Sequence, residues 1–197
     1  VIAMFDLAYP LENTVEIDGT IYELDLSFDN VLRLIDMLGD AELSDVIQIE
    51  TGLLMLLGID LDVDIEKKEE IFYQIFKSTI GKDAKENQPV DIEGNPMPVS
   101  NDEHKKTYDL KQDAEYIYAS FMSDYGIDLF EQQGKLHWEK FKALLGGLTD
   151  GSKFLRVIEI RTAELPKGKG TEKQRKQMLE LKRIYALKGD DIDEFED

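Results

Sequence analysis

The pair His137-Trp138 has the clearest capacity for chemistry in this sequence. It lies in GKLHWEKFKALLGGL, residues 134–148, and includes the only tryptophan and one of two histidines. The ordinary pKa of histidine is close to neutral pH, so the pair could belong to an acid–base site. Trp138 also shares an apolar stripe at helical spacing with Phe141 and Leu145. We therefore interpret Trp138 as a core residue and His137 as its half-exposed neighbour.

The acidic segment IDLDVDIEKKEEI, residues 59–71, resembles the opening of a calcium-binding loop. Such a loop needs glycine at its sixth position and glutamate at its twelfth. Counted from the first aspartate, these positions hold Ile65 and Ile71, so the pattern fails. We predict instead a helix whose positive end is stabilised by Asp62 and Asp64.

A lysine- and glycine-rich segment, PKGKGTEKQ at residues 166–174, resembles a phosphate-binding loop without its spacing. Gly170 is followed by Thr171 where the motif needs lysine. Lys169 lacks the required upstream glycine, because position 163 is alanine. We interpret the segment as a turn before a helix.

No arrangement of residues in the sequence predicts catalysis. The chain has no cysteine, and its second histidine, His104, lies outside the predicted helices, so a zinc site with protein ligands is not expected. With 42 acidic residues, any pair of carboxylates is uninformative, and two-carboxylate hydrolysis stays open as an alternative. We expect no catalytic residues, no metal, no cofactor and no enzymatic activity.

The segment TVEIDGTIYELDL, residues 14–26, predicts a β-hairpin. Asp18-Gly19 suits a two-residue turn, because both positions tolerate a positive φ. The predicted register pairs Ile17 with Thr20 and Val15 with Tyr22.

Apolar residues at helical spacing predict a mainly α fold in which this hairpin is followed by about seven helices. The helices are expected within residues 27–39, 42–57, 64–80, 108–126, 134–148, 151–165 and 171–187. The second is apolar nearly all round at its end and is predicted to be central. One or two helical lobes are compatible with the pattern.

Three prolines interrupt the chain at positions 89, 96 and 98, in a segment with almost no apolar residues. We predict an N-terminal hairpin and helical lobe at 1–80, a proline-rich linker or long loop at 81–107, a C-terminal helical lobe at 108–188 and an acidic tail at 189–197.

The net charge of −19 is unevenly distributed. Residues 1–60 hold thirteen acids and one base, whereas residues 164–188 hold eight bases and three acids. An acidic body repels the nucleic-acid backbone, so we expect no nucleic-acid partner. The candidate partner-binding residues are the bases of the last helix, namely Lys173, Arg175, Lys176, Lys182 and Arg183. Self-association through opposite charges, and a regulator that binds nucleic acid through this helix, remain alternatives.

The sequence also predicts the cellular location of the protein. The N-terminal residues lack the basic and apolar segments of a signal peptide, and no apolar run reaches the length of a membrane span. We expect no membrane partner and a location in a reducing cytoplasm.

An ordered set of residues in the second half of the chain is shared with a known family. The set comprises Asp113-Ala114, Tyr116-Ile117, Phe121, Tyr125-Gly126-Ile127-Asp128, Leu136-His137-Trp138, Phe141, the stretch 144–148, Ile160-Arg161 and the run LKRIYAL at 181–187. In these positions the chain resembles the bacteriophage gene-product-fifteen family, found in tail modules of phages of Gram-positive bacteria. Residues 15–38 resemble the hairpin and helix that open phage tail assembly chaperones.

This resemblance implies a non-enzymatic tail assembly factor in the cytoplasm of the infected bacterial host. Its partners would be the phage tape-measure protein and other tail assembly proteins. The implied role is that of a chaperone for the tape measure. The alternative is a structural tail component, such as a completion or terminator protein, that is retained in the virion.

Overall fold

The computed structural model describes residues 6–81, 107–168 and 170–190. Two strands and seven helices follow one another in this part of the chain. They are β1 (Thr14–Ile17), β2 (Thr20–Glu23), α1 (Phe28–Leu38), α2 (Asp45–Leu57), α3 (Ile65–Thr79), α4 (Ala114–Tyr125), α5 (Trp138–Gly146), α6 (Lys153–Thr162) and α7 (Glu172–Tyr185). The predicted fold class, mainly α with an N-terminal hairpin, is confirmed.

Several predictions fall on residues outside these ranges. The proline-rich linker at 81–107 and the acidic tail at 189–197 lie almost wholly outside the described residues. His104 and Lys169 lie outside them as well.

The described residues divide into two compact units. The first contains residues 6–81 and 132–143, and the second contains 107–131, 144–168 and 170–190. The sequence predicts a single C-terminal lobe at 108–188, whereas segment 132–143 lies in the first unit. The physical reason is its aromatic side chains, which pack on residues of α1 as described below.

In the first unit, β1 and β2 form the predicted antiparallel hairpin. The paired residues are Val15 with Tyr22 and Ile17 with Thr20. Asp18 and Gly19 have φ angles of 48° and 80°, the left-handed values that a tight hairpin turn requires. Ile17 of β1 is buried, and so is Leu24, which directly follows β2. One face of the hairpin therefore packs on the helices.

The core of the first unit is formed by facing apolar residues of α1, α2 and α3. Its most buried members are Val31, Leu34, Leu53, Leu56, Ile71, Phe72 and Ile75. Gly52 of α2 lies at the closest approach, because a Cβ atom there would be 2.6 Å from Cε2 of Phe72 and 3.3 Å from Cδ1 of Leu34. The lack of a side chain at this position lets α2 approach α3.

A buried asparagine connects α1 to α2. The Asn30 side-chain amide donates to the carbonyl of Asp25 at 2.9 Å and to that of Met55 at 2.8 Å. The Asp25 amide in turn donates to the carbonyl of Leu56 at 2.8 Å. These bonds fix the start of α1 against the end of α2.

A buried lysine connects α3 to α2 and to the loop between them. Lys68 donates to Asp60 at 2.8 Å and to Glu50 at 3.3 Å, and the residue is 7% exposed. The hydrogen bond that Lys68 donates to Asp60 raises the pKa of Lys68 above its ordinary value, against the opposing effect of burial. The predicted stabilisation of the start of α3 is confirmed for Asp64, which accepts from the amide of Lys67 at 2.8 Å.

In the second unit, α4, α6 and α7 pack around Phe121, Val157 and Phe154. Ser120 is fully buried, and its hydroxyl accepts from the amide of Phe154 at 3.0 Å. The Tyr125 hydroxyl donates to the carbonyl of Leu144 at 2.8 Å. Polar side chains on the buried face of α4 therefore tie that helix to the segments that follow it.

Replacing Gly52 by alanine is expected to destabilise the protein. The new methyl group would press on the buried Phe72 ring, and such overpacking costs about 1–3 kcal/mol. Urea denaturation followed by circular dichroism measures the change. Gly146→Ala is the matched control, because a Cβ at this helical position meets nothing within 4 Å. That control should be neutral or stabilising. Equal stability of the Gly52→Ala variant and the wild type would contradict the packing described here.

Candidate functional site

His137 and Trp138 are placed by backbone pairing with the segment that leads into α1. The Phe28 amide donates to the carbonyl of Leu136 at 2.8 Å, and the Trp138 amide donates to that of Leu26 at 2.7 Å. The two segments therefore meet as a short antiparallel bridge, in which Ser27 lies opposite His137.

Trp138 is a core residue, as the sequence indicates. Its indole is 6% exposed and stacks on Phe141 with ring centroids 5.6 Å apart. Phe141 stacks in turn on Phe28 at 5.0 Å. This row of three rings explains why segment 132–143 belongs to the first unit.

His137 has a structural role at the start of α5. Its carbonyl accepts from the amide of Phe141 at 3.0 Å, and its Nδ1 atom accepts from the amide of Glu139 at 3.1 Å. The ring thus satisfies one of the free N–H groups at the helix start, as a capping side chain does. Nδ1 can accept only while it carries no proton. Burial lowers the pKa of His137, partly offset by the nearby charge of Glu139 and the backbone of Glu12.

The bases of α7 that the sequence suggests as partner-binding residues differ in their exposure. Lys173, Lys176 and Arg183 are exposed, and Arg175 is half-buried. Lys182 is only 5% exposed, and its ammonium donates to the carbonyl of Arg161 at 2.7 Å. Lys182 therefore contributes to the packing of the second unit.

A buried ion pair in the second unit joins Asp113 and Arg161. The guanidinium donates two parallel hydrogen bonds, at 2.6 Å and 2.7 Å, to the two carboxylate oxygens. The Asp113 side chain is 1% exposed and that of Arg161 is 8% exposed. A bidentate pair in this environment is geometrically specific, because both planar groups must align.

Arg161 also reaches two backbone carbonyls. Its Nε atom donates to the carbonyl of Tyr185 at 2.6 Å, and Nη1 donates to that of Thr107 at 3.1 Å. One guanidinium therefore joins the start of α4, the residues before it and the end of α7. The spacing of Asp113 and Arg161 in the sequence does not predict that they form an ion pair. Both residues nevertheless belong to the set that carries the family resemblance.

The surface of the first unit carries exposed apolar side chains along α2. Val46 and Ile47 are each 48% exposed and Leu54 is 50% exposed. Positions 46, 47, 50 and 54 share one face of a helix, and Glu50 lies among the apolar residues. The sequence predicts a central α2, and its end is indeed buried at Leu56 and Leu57, but its other face is open to solvent.

Neither a metal centre nor a membrane span is found in the described residues. No group of three or more histidine or acidic side chains in this part of the chain is arranged to hold a metal ion. None of the helices within it is long and apolar enough to cross a membrane. The exposed apolar face of α2 is the candidate site that the geometry favours, because adjacent exposed apolar side chains can mark an interaction surface.

Loss of the Arg161 guanidinium should strongly destabilise the protein. Arg161→Met leaves the Asp113 carboxylate buried without its partner, which costs about 3–5 kcal/mol of the free energy of unfolding. Chemical denaturation measures this change. The matched control is Arg33→Met, which removes the pair with Asp29, in which the arginine side chain is 63% exposed and the carboxylate, 12% exposed, keeps a hydrogen bond from the amide of Gly134. That control should change stability by less than about 1 kcal/mol. Similar effects of the two variants would contradict a dominant role for the buried pair.

Stability should fall below neutral pH because His137 resists protonation in the folded state. Its folded pKa is below the unfolded value of about 6.5. The contribution of neutral His137 to the free energy of unfolding is therefore fully present above pH 6.5 and is lost as the pH falls through the folded pKa. His137→Asn keeps a side-chain acceptor but does not titrate. Urea denaturation between pH 5 and 8 should show a smaller slope of the free energy of unfolding against pH for this variant than for the wild type. An unchanged slope in His137→Asn would disprove the assignment.

Comparison with known proteins identifies the family. The family model described as Bacteriophage Gp15 protein matches residues 7–187, which is most of the chain. No curated protein and no solved structure gives a significant match. The matched range includes the hairpin, all seven described helices, the Asp113–Arg161 pair and the row of aromatic rings. The chain therefore belongs to the bacteriophage Gp15 protein family.

Proposed function

We propose that this phage protein is a non-enzymatic tail assembly factor that acts as a chaperone for the tape-measure protein. The tape measure is a long helical chain that would expose apolar stripes before the tail tube assembles around it. A chaperone must cover such stripes and keep the complex in solution. The expected place of action is the cytoplasm of the infected host.

The observation that carries this proposal is the exposed apolar face of α2. Val46, Ile47 and Leu54 follow one side of a helix whose opposite side is held in the core. An apolar stripe of this kind can pack against the apolar face of a partner helix, as in helix–helix recognition. Its position on a packed helix lets it bind a partner without first refolding.

The charge of the first unit supports the same role. Its described residues include nineteen acids and seven bases, which gives a net charge of −12. A high net charge disfavours association between like-charged complexes and so maintains solubility. The acidic exterior would keep an apolar client in solution once α2 has covered it.

A structural tail component retained in the virion is the second candidate function. The two roles differ in where the protein is found at the end of assembly. A chaperone is expected in assembly intermediates and absent from finished particles. Mass spectrometry of purified virions distinguishes the roles, because stoichiometric amounts in the particle would overturn the chaperone proposal.

The α2 face can be tested directly by co-expression with the tape-measure protein of the same phage. Ile47→Gln combined with Leu54→Gln removes two apolar contacts and keeps residues of good helix propensity. We expect capture of soluble tape measure to weaken about 10–100-fold, the usual effect of losing central apolar contacts. Affinity capture followed by quantitative gels measures the loss.

The matched control is Leu181→Gln combined with Ile184→Gln, on α7. These residues are 38% and 63% exposed, so the control makes the same chemical change on another helix. Both double variants should keep wild-type thermal stability. If the α7 variant loses the tape measure and the α2 variant retains it, the binding surface has been assigned to the wrong helix.

A further inference from the structure

We infer that the α2 face binds an amphipathic helix whose apolar stripe is flanked by lysine and arginine. This inference rests on the proposed function and specifies the chemistry of the client segment. The surface is formed by Val46, Ile47, Glu50 and Leu54, and it is called the α2 face below. A helix with acidic flanks is expected to bind it poorly.

The apolar part of the α2 face has the length and form of a helix-binding stripe. From Val46 to Leu54 the helix rises about 12 Å, at about 1.5 Å per residue. Ile59, which follows the end of α2, is 44% exposed and adds an apolar side chain beyond it. Two to three turns of a partner helix can therefore place residues at i, i+3, i+4 and i+7 along this stripe.

The stretch of sequence that contains the α2 face carries acidic side chains and no basic ones. Between Arg33 and Lys67 there is no lysine or arginine. The same stretch contains nine acids, namely Asp36, Asp40, Glu42, Asp45, Glu50, Asp60, Asp62, Asp64 and Glu66. These residues lie on α1, on α2, on the loops at both ends of α2 and at the start of α3.

Two of these acids are held by a base from α3. Lys68 contacts Glu50 at 3.3 Å and Asp60 at 2.8 Å, so the middle of the α2 face is partly neutralised. Glu42 and Asp45 are exposed at the N-terminal end of α2, and Asp62 is exposed beyond its C-terminal end. The apolar stripe therefore lies between two acidic ends, which matches a partner helix with bases beside its own stripe.

Electrostatic selection follows from this arrangement. A client with basic flanks gains attraction at both ends, whereas one with acidic flanks meets repulsion from the described residues of the first unit, which have a net charge of −12. The exposed charges are screened by salt, so the selection must weaken as ionic strength rises. The apolar contribution does not depend on salt in this way, and the two effects can be measured separately.

The test uses the full chain and three synthetic helical peptides of about 20 residues. One peptide has a leucine stripe flanked by lysine, the second has the same stripe flanked by glutamate, and the third keeps the lysines but has serine in place of leucine. Fluorescence anisotropy gives the dissociation constant of each at low and at high salt. We expect the lysine-flanked leucine peptide to bind at least about tenfold more tightly than the other two. The preference over the glutamate peptide should shrink at high salt.

Two variants assign the effect to the α2 face. Ile47→Gln combined with Leu54→Gln should abolish the preference for leucine over serine. Glu42→Gln combined with Asp45→Asn keeps the apolar stripe and should reduce the preference for lysine over glutamate. The matched control is Glu16→Gln combined with Glu23→Gln, which makes an equal change of charge on the exposed side of the hairpin. Its preference for the lysine peptide over the glutamate peptide should be larger than that of the Glu42→Gln, Asp45→Asn variant. Circular dichroism establishes that each variant is folded.

Several outcomes would overturn the inference. Equal binding of the lysine and glutamate peptides would show that charge does not select the client. Equal binding of the leucine and serine peptides would show general attraction of cations to an acidic protein. Sedimentation velocity shows whether a second copy covers the α2 face. One outcome would assign the α2 face to a second copy of the chain. In that outcome, the wild type self-associates, the Ile47→Gln, Leu54→Gln variant does not, and the lysine-flanked peptide does not displace the second copy.

Failure of this inference is distinguishable from failure of the proposed function. If the tape measure is captured through α2 but the peptides show no charge preference, the chaperone proposal stands and the inference is wrong. If the lysine-flanked peptide binds as expected but the tape measure is not captured, the inference stands and the client is another protein.

Discussion

The second unit depends on one buried ion pair. Asp113 and Arg161 must align two planar groups with almost no access to water, and the guanidinium must also satisfy the carbonyls of Thr107 and Tyr185. Neither charge is tolerated there without its partner, because the cost of removing a lone charge from water is high. The pair therefore specifies where α4, α6 and the end of α7 meet.

The first unit is organised by apolar packing and by one internal cation. The rings of Phe28, Trp138 and Phe141 stack in a row, and Lys68 joins α3 to α2 and its following loop. Lys68 partly neutralises the exposed carboxylates of Glu50 and Asp60, but the described residues of the unit keep a net charge of −12. An apolar stripe on α2 can then coexist with a strongly negative exterior, and this combination supports the chaperone proposal.

Much of the fold could be predicted because its signals are local. The Asp18-Gly19 turn fixes the hairpin register, since a two-residue turn leaves one way to pair the adjacent strands. The helices follow from apolar spacing and from glycine or capping residues at their ends. The interpretation of Trp138 as a core residue is confirmed for the same reason, since its place in an apolar stripe is visible in the sequence.

The sequence did not reveal features that depend on contacts between distant segments. Lys182 was among the candidate partner-binding bases, and its burial and its hydrogen bond to the carbonyl of Arg161 were not visible in the sequence. Ser27 stands at the predicted start of α1, yet its hydroxyl donates to Asp25 and makes no capping bond to the helix. The placement of 132–143 with the first unit depends on aromatic stacking across more than a hundred residues of sequence. Such pairings carry no periodic signal.

By itself, the sequence determined the element types, the hairpin register, the acidic character of the first sixty residues and the resemblance to a phage family. These follow from local propensity, periodicity and composition, which act over a few residues. Only the tertiary structure decided which charges are buried, which unit holds His137 and Trp138, and which side of α2 is open to solvent. The physical reason is that a side chain is buried only when a second element packs against it. The residues of an apolar helix such as α2 do not by themselves specify which of its faces another element will cover.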